Sequence, residues 1–329
     1  HILSALSLQE KIPANLLGEK RGWMWEFFTK EAWRGRHVPG PGRIGYTKEP
    51  AFAGEGVCAM RFTKMEGLGN DYIYVNCLRE TPEDLPALAR RLSDRHFGVG
   101  ADGLICIKPG RSGDFTMEMY NADGSRGSMC GNGIRCVGKY VYDKGLTRKT
   151  CLTIDTDAGP RFLELHVRGG VVRAATVDMG EAGLLPAMEL EAGGEKLTLH
   201  PVWMGNPHGV VFCQKPEEVE LVRLGPLLEH HPAVGERINV EFAACPDGKH
   251  LTLRVWERGS GITLACGTGA CAAFAAGRRE GLCGERVLAH LPGGTLVLEQ
   301  RGEHVYMTGP ARLVFEGELP QKEGGGERI

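Results

Sequence analysis

Residues 130–136 read CGNGIRC and residues 266–271 read CGTGAC. Each copy sets a cysteine ahead of two glycines, and each opens a run with helical spacing. The first proceeds through Ile134, Val137 and Val141 to Gly145; the second continues as ACAAFAAGRREG. Cys130 and Cys266 lie 136 positions apart. Asn70 in GLGND and Asn206 in GNPH share that separation, and the same offset carries Asp102-Gly103 onto Ile238-Asn239 in RINVEF. Two motif pairs with one separation mark two homologous halves facing each other across a cleft, with function where equivalent loops converge.

The elements around these motifs repeat in order. MRFTKM reads as a strand, GLGND as a turn and YIYVNC as a second strand rich in β formers. TPEDLPALARRLSDRHFG (81–98) reads as a helix with Thr81 as N-cap, Pro82 in the first turn, and Asp84 at the capping-box position. Its apolar stripe is Leu85, Leu88, Ala89 and Leu92, and Gly98 closes it. LICIK and FTMEMY are strand-like, then the first glycine-led helix, then strands at 151–156, 162–168 and 171–177. In the second half VWMGNPHGVVF gives strand, turn, strand; EEVELVRLGPLLEHH is helical; LTLRVWE is a strand before the second glycine-led helix. RVLAHLPGG, TLVLEQ, HVYMTG and ARLVFEG end the body as short strands. The class is α+β.

Residues 1–59 hold Trp23, Trp25 and Trp33 with Gly/Pro breaks and no sustained period, and read as an extension outside the globular body. Residues 60–179 are expected to form the first half and 180–310 the second, with the strand at 311–318 packing back onto the first. Residues 319–329 are expected to be a flexible tail. The first residue is His, and Met60 is the expected natural start.

The 39 Lys+Arg against 41 Asp+Glu leave no field that advertises nucleic acid or an anionic membrane. No apolar run approaches the ~20 residues of a membrane span, and the opening residues do not form a signal peptide. Eleven cysteines, an odd number spread through an average composition, fit reduced thiols in a cytoplasm. CxxC, HExxH and GxxxxGK[ST] are absent, so no structural zinc, zincin or phosphate-loop site has support. GVGADG (98–103) matches GxGxxG, but a helix precedes it and a strand follows, the reverse of a dinucleotide fingerprint.

A helix N-terminus presents unpaired N–H groups and about half a positive charge, so a thiol there is expected to ionise below its free pKa of ~8.5. The following glycines let backbone donors approach a carboxylate. Inverting a carbon stereocentre needs a base on one face and an acid on the other. Two facing thiols, one of them deprotonated, meet that need in either direction, and both helix mouths would stabilise the carbanion through the substrate carboxylate. No sequence context for a pyridoxal-phosphate lysine is present, so no cofactor is expected. Read singly, either cysteine is an ordinary buried thiol; paired, they are also a candidate disulfide, read as an inactivated form. Cys136 and Cys271, inside the helices, are read as packing residues. His230-His231 is read as an exposed helix end.

With these motifs together, the chain resembles the diaminopimelate epimerase family. KMEGLGNDY, YNADGSRGSMCGNGIRC, WMGNPHGVVF, INVEF and WERGSGITLACGTGACA stand in the family's order across residues 60 to about 318. The resemblance implies two pseudo-symmetric domains, each a mixed, mostly antiparallel sheet wrapped around a central helix, with the active site in the interdomain cleft. It implies Cys130 and Cys266 as the acid/base thiols, with His208 and Glu257 beside them assisting proton movement. Gly131-Asn132 and Gly267-Thr268 would bind the carboxylate at the reacting centre. Asn70, Asn121, Asn206, Asn239, Glu257 and Arg258 would hold the substrate, a diamino dicarboxylic acid, chiefly at its distal end. Arg258 can take a carboxylate bidentately and Glu257 an ammonium. A homodimer is implied as well. Some family members carry Gln where this chain has Gly103, so a side-chain contact there is lost or replaced. Two other readings stay open: a proline or hydroxyproline racemase on the same plan, disfavoured by Arg258 and the Asn set, and a non-catalytic carboxylate-binding module.

Overall fold

The 136-residue offset reappears as a strand-for-strand match in the computed structural model, which describes residues 60–319 apart from Glu80 and Glu236. The expected extension over 1–59 and the tail from Pro320 lie outside the described residues; Leu319, assigned to the tail from sequence, ends a strand.

The first half runs β1 (Met60–Gly67), β2 (Asn70–Asn76), α1 (Leu85–Ser93), β3 (Gly103–Pro109), β4 (Phe115–Asn121), β5 (Arg126–Gly127), α2 (Gly131–Asp143), β6 (Cys151–Asp155), β7 (Arg161–Arg168) and β8 (Val171–Glu181). After β9 (Gly183–Leu184) and β10 (Met188–Ala192) the second half repeats it. It runs β11 (Glu195–Trp203), β12 (Pro207–Phe212), α3 (Leu221–Glu229), β13 (Asn239–Ala244), β14 (His250–Glu257), β15 (Gly261–Ile262), α4 (Gly267–Arg279), β16 (Arg286–Leu291), β17 (Gly294–Arg301) and β18 (His304–Pro310), and β19 (Arg312–Leu319) follows.

In the first half β1 pairs antiparallel with β2, β2 parallel with β3, β3 antiparallel with β4, β4 parallel with β6, and β6, β7 and β8 form a meander. Strands β11, β12, β13, β14, β16, β17 and β18 repeat that series of senses. A parallel neighbour requires a crossover, and the four helices supply the four crossovers. The halves join where β8 pairs antiparallel with β18. Each half also completes the other: β10, following β8, pairs with β11, and β19, following β18, pairs with β1.

Two of the helices are enclosed. α2 buries Ile134, Val137 and Val141 on helical spacing, and a Cβ on Gly138 would stand 2.7 Å from Leu165 Cδ2, so β7 passes against a bare helix face. In α4 Ala270, Ala272, Ala273, Ala275 and Ala276 surround Phe274, all of them buried. A helix apolar on every side is a core helix, and alanines let strands close around it. α1 and α3 instead cover the outer sheet faces with amphipathic stripes, Leu85, Leu88, Ala89 and Leu92 in α1. Strand alternation therefore sorts β2: Ile73 and Val75 face α1, whereas Tyr72 and Tyr74 face the core around α2.

Two boundaries differ from the sequence expectation. The N-cap of α1 is Asp84, whose Oδ1 accepts from the Ala87 amide at 3.0 Å, not Thr81. Capping at Thr81 would have put Pro86 in the helix interior, where its ring removes a hydrogen bond and clashes with the preceding turn; capping at Asp84 leaves it in the first turn, the place expected of Pro82. The helix also stops at Ser93, because the Asp94 side chain accepts from the amides of His96 and Phe97, both at 2.7 Å, and turns the chain early. Residues 98–103 then lead from this helix to β3, as expected of the false fingerprint.

Candidate active site

Cys130 is the N-cap of α2 and Cys266 the N-cap of α4, both in extended backbone conformation. Each sulfur takes the role usually filled by a Ser or Asp oxygen: Gly133 N donates to Cys130 Sγ at 3.3 Å and Gly269 N to Cys266 Sγ at 3.4 Å. The preceding amides of Gly131, Asn132, Gly267 and Thr268 belong to the first helical turn, where no intrahelical acceptor exists. Both cysteines are free; Cys130 is half-buried and Cys266 is 7% exposed.

The two helix mouths meet at the seam. Asn132 Nδ2 donates to the carbonyl of Ala265, the residue before Cys266, at 3.2 Å. A Cβ on Gly131 would stand 2.8 Å from Met307 Cε, and one on Gly267 would stand 3.1 Å from Met307 Sδ, so one β18 methionine touches both first turns. Behind them lies Arg135, fully buried, which sequence reading did not single out. Its guanidinium donates to Asn132 Oδ1 at 2.9 Å, Gly131 O at 3.1 Å and Pro310 O at 3.2 Å.

Around Cys130, the thiol donates to Asn70 Oδ1 at 3.2 Å, while Asn70 Nδ2 donates to Asp102 Oδ2 at 2.8 Å. The Tyr72 phenol faces the same thiol and acts to lower its pKa. Tyr72 was not picked out from sequence, although the offset that links the cysteines also carries His208 back onto it. Gly103 makes room for it: a Cβ there would lie 2.9 Å from Tyr72 Cε1 and 2.1 Å from Tyr120 O. The Tyr72 ring fills the space that a side chain at position 103 would take.

Around Cys266, Thr268 Oγ1 lies 3.4 Å from the sulfur, and the carboxylates of Glu257 and Glu241 stand nearby. His208 is buried in this half, with Nδ1 2.7 Å from Glu241 Oε1 and Nε2 2.9 Å from Asn206 Oδ1. Thr263 donates to Glu257 Oε1 at 2.6 Å. Asn239 accepts from the Arg258 amide at 2.9 Å and donates to Pro207 O at 3.2 Å. Arg258 is exposed, with Nη1 bonded to Arg237 O at 3.3 Å, and Asn121 at the end of β4 bonds Ser125 Oγ at 2.9 Å. Asn70 and Asn132 are thus brought together with Cys130, Asn132 reaches the residue before Cys266, Asn206 and Asn239 join through β12, and Arg258 and Asn121 stand at the rim.

Both thiols are raised above their ordinary pKa, Cys266 far more than Cys130, with burial the main cause in each. This reverses the expectation that the helix mouths alone would make them acidic. Desolvation outweighs the capping amides, and the Glu257 carboxylate adds to it at both sulfurs. Glu257 is itself raised, chiefly by burial, against the hydrogen bond from Thr263. Cys136 and Cys271 are fully packed, as expected, and His230 is the exposed C-cap of α3.

Two repeated halves, each a sheet closed around one helix with its mouth at the seam, define an epimerase-class isomerase fold. It is similar to the probable proline racemase from Agrobacterium radiobacter K84, with a TM-score of 0.64 at 14% identity over 80% of this chain and 94% of that one. The chain belongs to the diaminopimelate epimerase family, whose model matches residues 62–185 and 201–314. The diaminopimelate epimerase of Acetivibrio thermocellus is 48% identical over 279 residues, 80% of this chain and 100% of that protein. That of Pelotomaculum thermopropionicum is 47% identical over the same length and coverage.

Proposed function

We propose that this chain interconverts LL- and meso-diaminopimelate with Cys130 and Cys266 as its two bases. The observation that carries the reading is the Asn132–Ala265 bond, which holds two cysteine-capped helix mouths against one another. A substrate carboxylate set between them would meet the first-turn amides of Gly131, Asn132, Gly267 and Thr268. One thiolate removes the α-proton, the electron pair is left on the α-carbon and delocalised into the carboxylate, and the opposite thiol returns a proton to the other face. Burial without substrate keeps both sulfurs protonated, and the bound ligand's ammonium is the charge that favours ionising one of them. Asn70, Asn121, Asn206, Asn239, Glu257 and Arg258 would hold the distal amino-acid end, Arg258 swinging inward from the rim. A short amino acid would leave those groups unpaired. Two reduced thiols require a reducing compartment, so we place the reaction in the cytoplasm.

We also propose a homodimer through β19. That strand pairs only with β1 among the described residues and exposes Leu313, Val314 and Phe315 in succession.

The reaction is tested by following α-deuterium incorporation and inversion of LL-diaminopimelate in D2O. The full chain is expected to do both, and Cys130→Ala and Cys266→Ala each to lose inversion by at least about a thousandfold. Inversion at the wild-type rate in either variant would overturn the two-thiol mechanism.

A further inference from the structure

At four positions around the cysteines the halves can be compared residue by residue. Tyr72, Ile105, Gly133 and Cys130 in the first half correspond to His208, Glu241, Gly269 and Cys266 in the second, each 136 positions on. The geometry is the same. A Cβ on Gly133 would stand 2.7 Å from Ile105 Cδ1, and a Cβ on Gly269 would stand 2.4 Å from Glu241 Oε1. Ile105 pairs with Tyr74 and Met119, and Glu241 with their counterparts Val210 and Val255.

Both side chains at this position are fully buried. A buried carboxylate is costly unless it is paired, and the sister half shows that the same sheet and helix close over an isoleucine. Packing therefore does not explain Glu241. Its Oε1 holds His208 Nδ1 at 2.7 Å, while its Oε2 is buried with no hydrogen-bond partner in the protein. The other imidazole nitrogen faces Asn206 Oδ1 at 2.9 Å, so the ring lies between two oxygens. The ionisable groups facing this pair are Glu257 on β14 and Cys266 at the mouth of α4, with Asp102 before β3 beyond Glu257.

We propose that Glu241 is a positioning residue that orients and electrostatically supports His208, giving one half-site an ionisable dyad where the other has Tyr72 and Ile105. Two thiols of one lineage are thereby given unlike surroundings, one on each face of the reacting carbon. The inference rests on the epimerase reading.

The test is Glu241→Gln in the full-length protein, with rates measured across pH in both directions. Gln keeps the volume and removes the charge. The expected result is a fall in kcat of about tenfold or more with KM within about threefold, and an acid shift of the pH profile, because the Glu241 charge that helps hold the Cys266 thiol up is gone. Glu241→Asp, which keeps the charge, is expected to restore the profile's position. A purely structural carboxylate would lower the melting temperature and leave the profile in place, and that outcome overturns the proposal. If E241Q does not fold, the His208→Asn/Glu241→Asp double-mutant cycle decides: coupling in kcat above about threefold supports the dyad, and additive effects overturn it. Wild-type protein inactive on diaminopimelate would fail the epimerase reading instead, a distinguishable result.

Discussion

Tyr72 and His208 occupy one position in two halves: each is paired across a parallel ladder, Tyr72 with Gly103 and His208 with Asn239. The phenol faces Cys130 and acts against burial, lowering that thiol's pKa. Its own pKa is pushed well above normal, mainly by burial, so it stays a neutral donor. Tyr72→Phe removes the donor and is expected to raise the Cys130 pKa. The thiolate fraction at a given pH then falls, and the acid limb of the activity profile moves alkaline by about half to one unit. Iodoacetamide labelling of the Cys130 peptide across pH, followed by mass spectrometry, reads this directly. An unmoved labelling midpoint would show that the hydroxyl does not support the thiol.

Gly103 is the partner of that tyrosine. Its Cβ position is 2.1 Å from a backbone oxygen, which cannot retreat as a side chain can. Gly103→Gln is therefore expected to destabilise the protein by about 2 kcal/mol through strain in β3 and to push the Tyr72 ring from Cys130. Thermal unfolding reads the first effect and Cys130 labelling the second. A variant as stable as wild type would mean that this glycine can be replaced without strand movement.

The repeat, the elements on long periodic segments and the two capping cysteines were legible because all three are written locally. Cys-Gly-polar-Gly marks a helix mouth by its residue types, and the separation of copies needs only counting. Tyr72 and Glu241 were missed for one reason: each reads as an ordinary strand residue, in YIYVNC and INVEF, until the ladder turns it inward. The offset alone, applied to His208, would have found Tyr72. Arg135 was hidden by composition, since an arginine one turn inside a helix is by default solvated. The acid shift expected of the thiols failed because sequence states which amides are near but not how little water is.

Asp155 shows a charged residue whose role is purely structural. It ends β6 and accepts from the amides of Arg111, Ser112 and Gly113 at 2.7, 2.9 and 3.0 Å, and from Ser112 Oγ at 2.7 Å. The amides of Gly113 and Ser112 hold its pKa far below the ordinary carboxylate value. A depressed folded-state pKa stabilises the fold above the unfolded value of about 3.9, and that stability is lost as pH falls toward the folded one. Asp155→Asn is expected to cost about 2 kcal/mol at pH 7, with the gap to wild type narrowing as pH falls below about 3.9. Urea unfolding at pH 7 and pH 3 checks it; an equal gap at both would remove the charge from the explanation.

The two exchanged edge strands are built differently. On β10, Leu190 and Ala192 are buried while Glu189 and Glu191 point outward, an edge protected by charge. On β19, Leu313, Val314 and Phe315 are 40, 49 and 43% exposed, so apolar side chains stand on both faces of a strand with one side unpaired among the described residues. Pseudo-symmetry gives both strands the same task inside the molecule, and in the proposed homodimer a second copy of β19 would supply both ladder bonds and apolar cover. Val314→Lys places a charge at the centre of that edge and is expected to convert a dimer to a monomer in sedimentation-velocity runs at micromolar concentration. Its thermal unfolding should lose its dependence on protein concentration. If the wild-type chain sediments as a monomer, or V314K still as a dimer, the edge is not where copies meet.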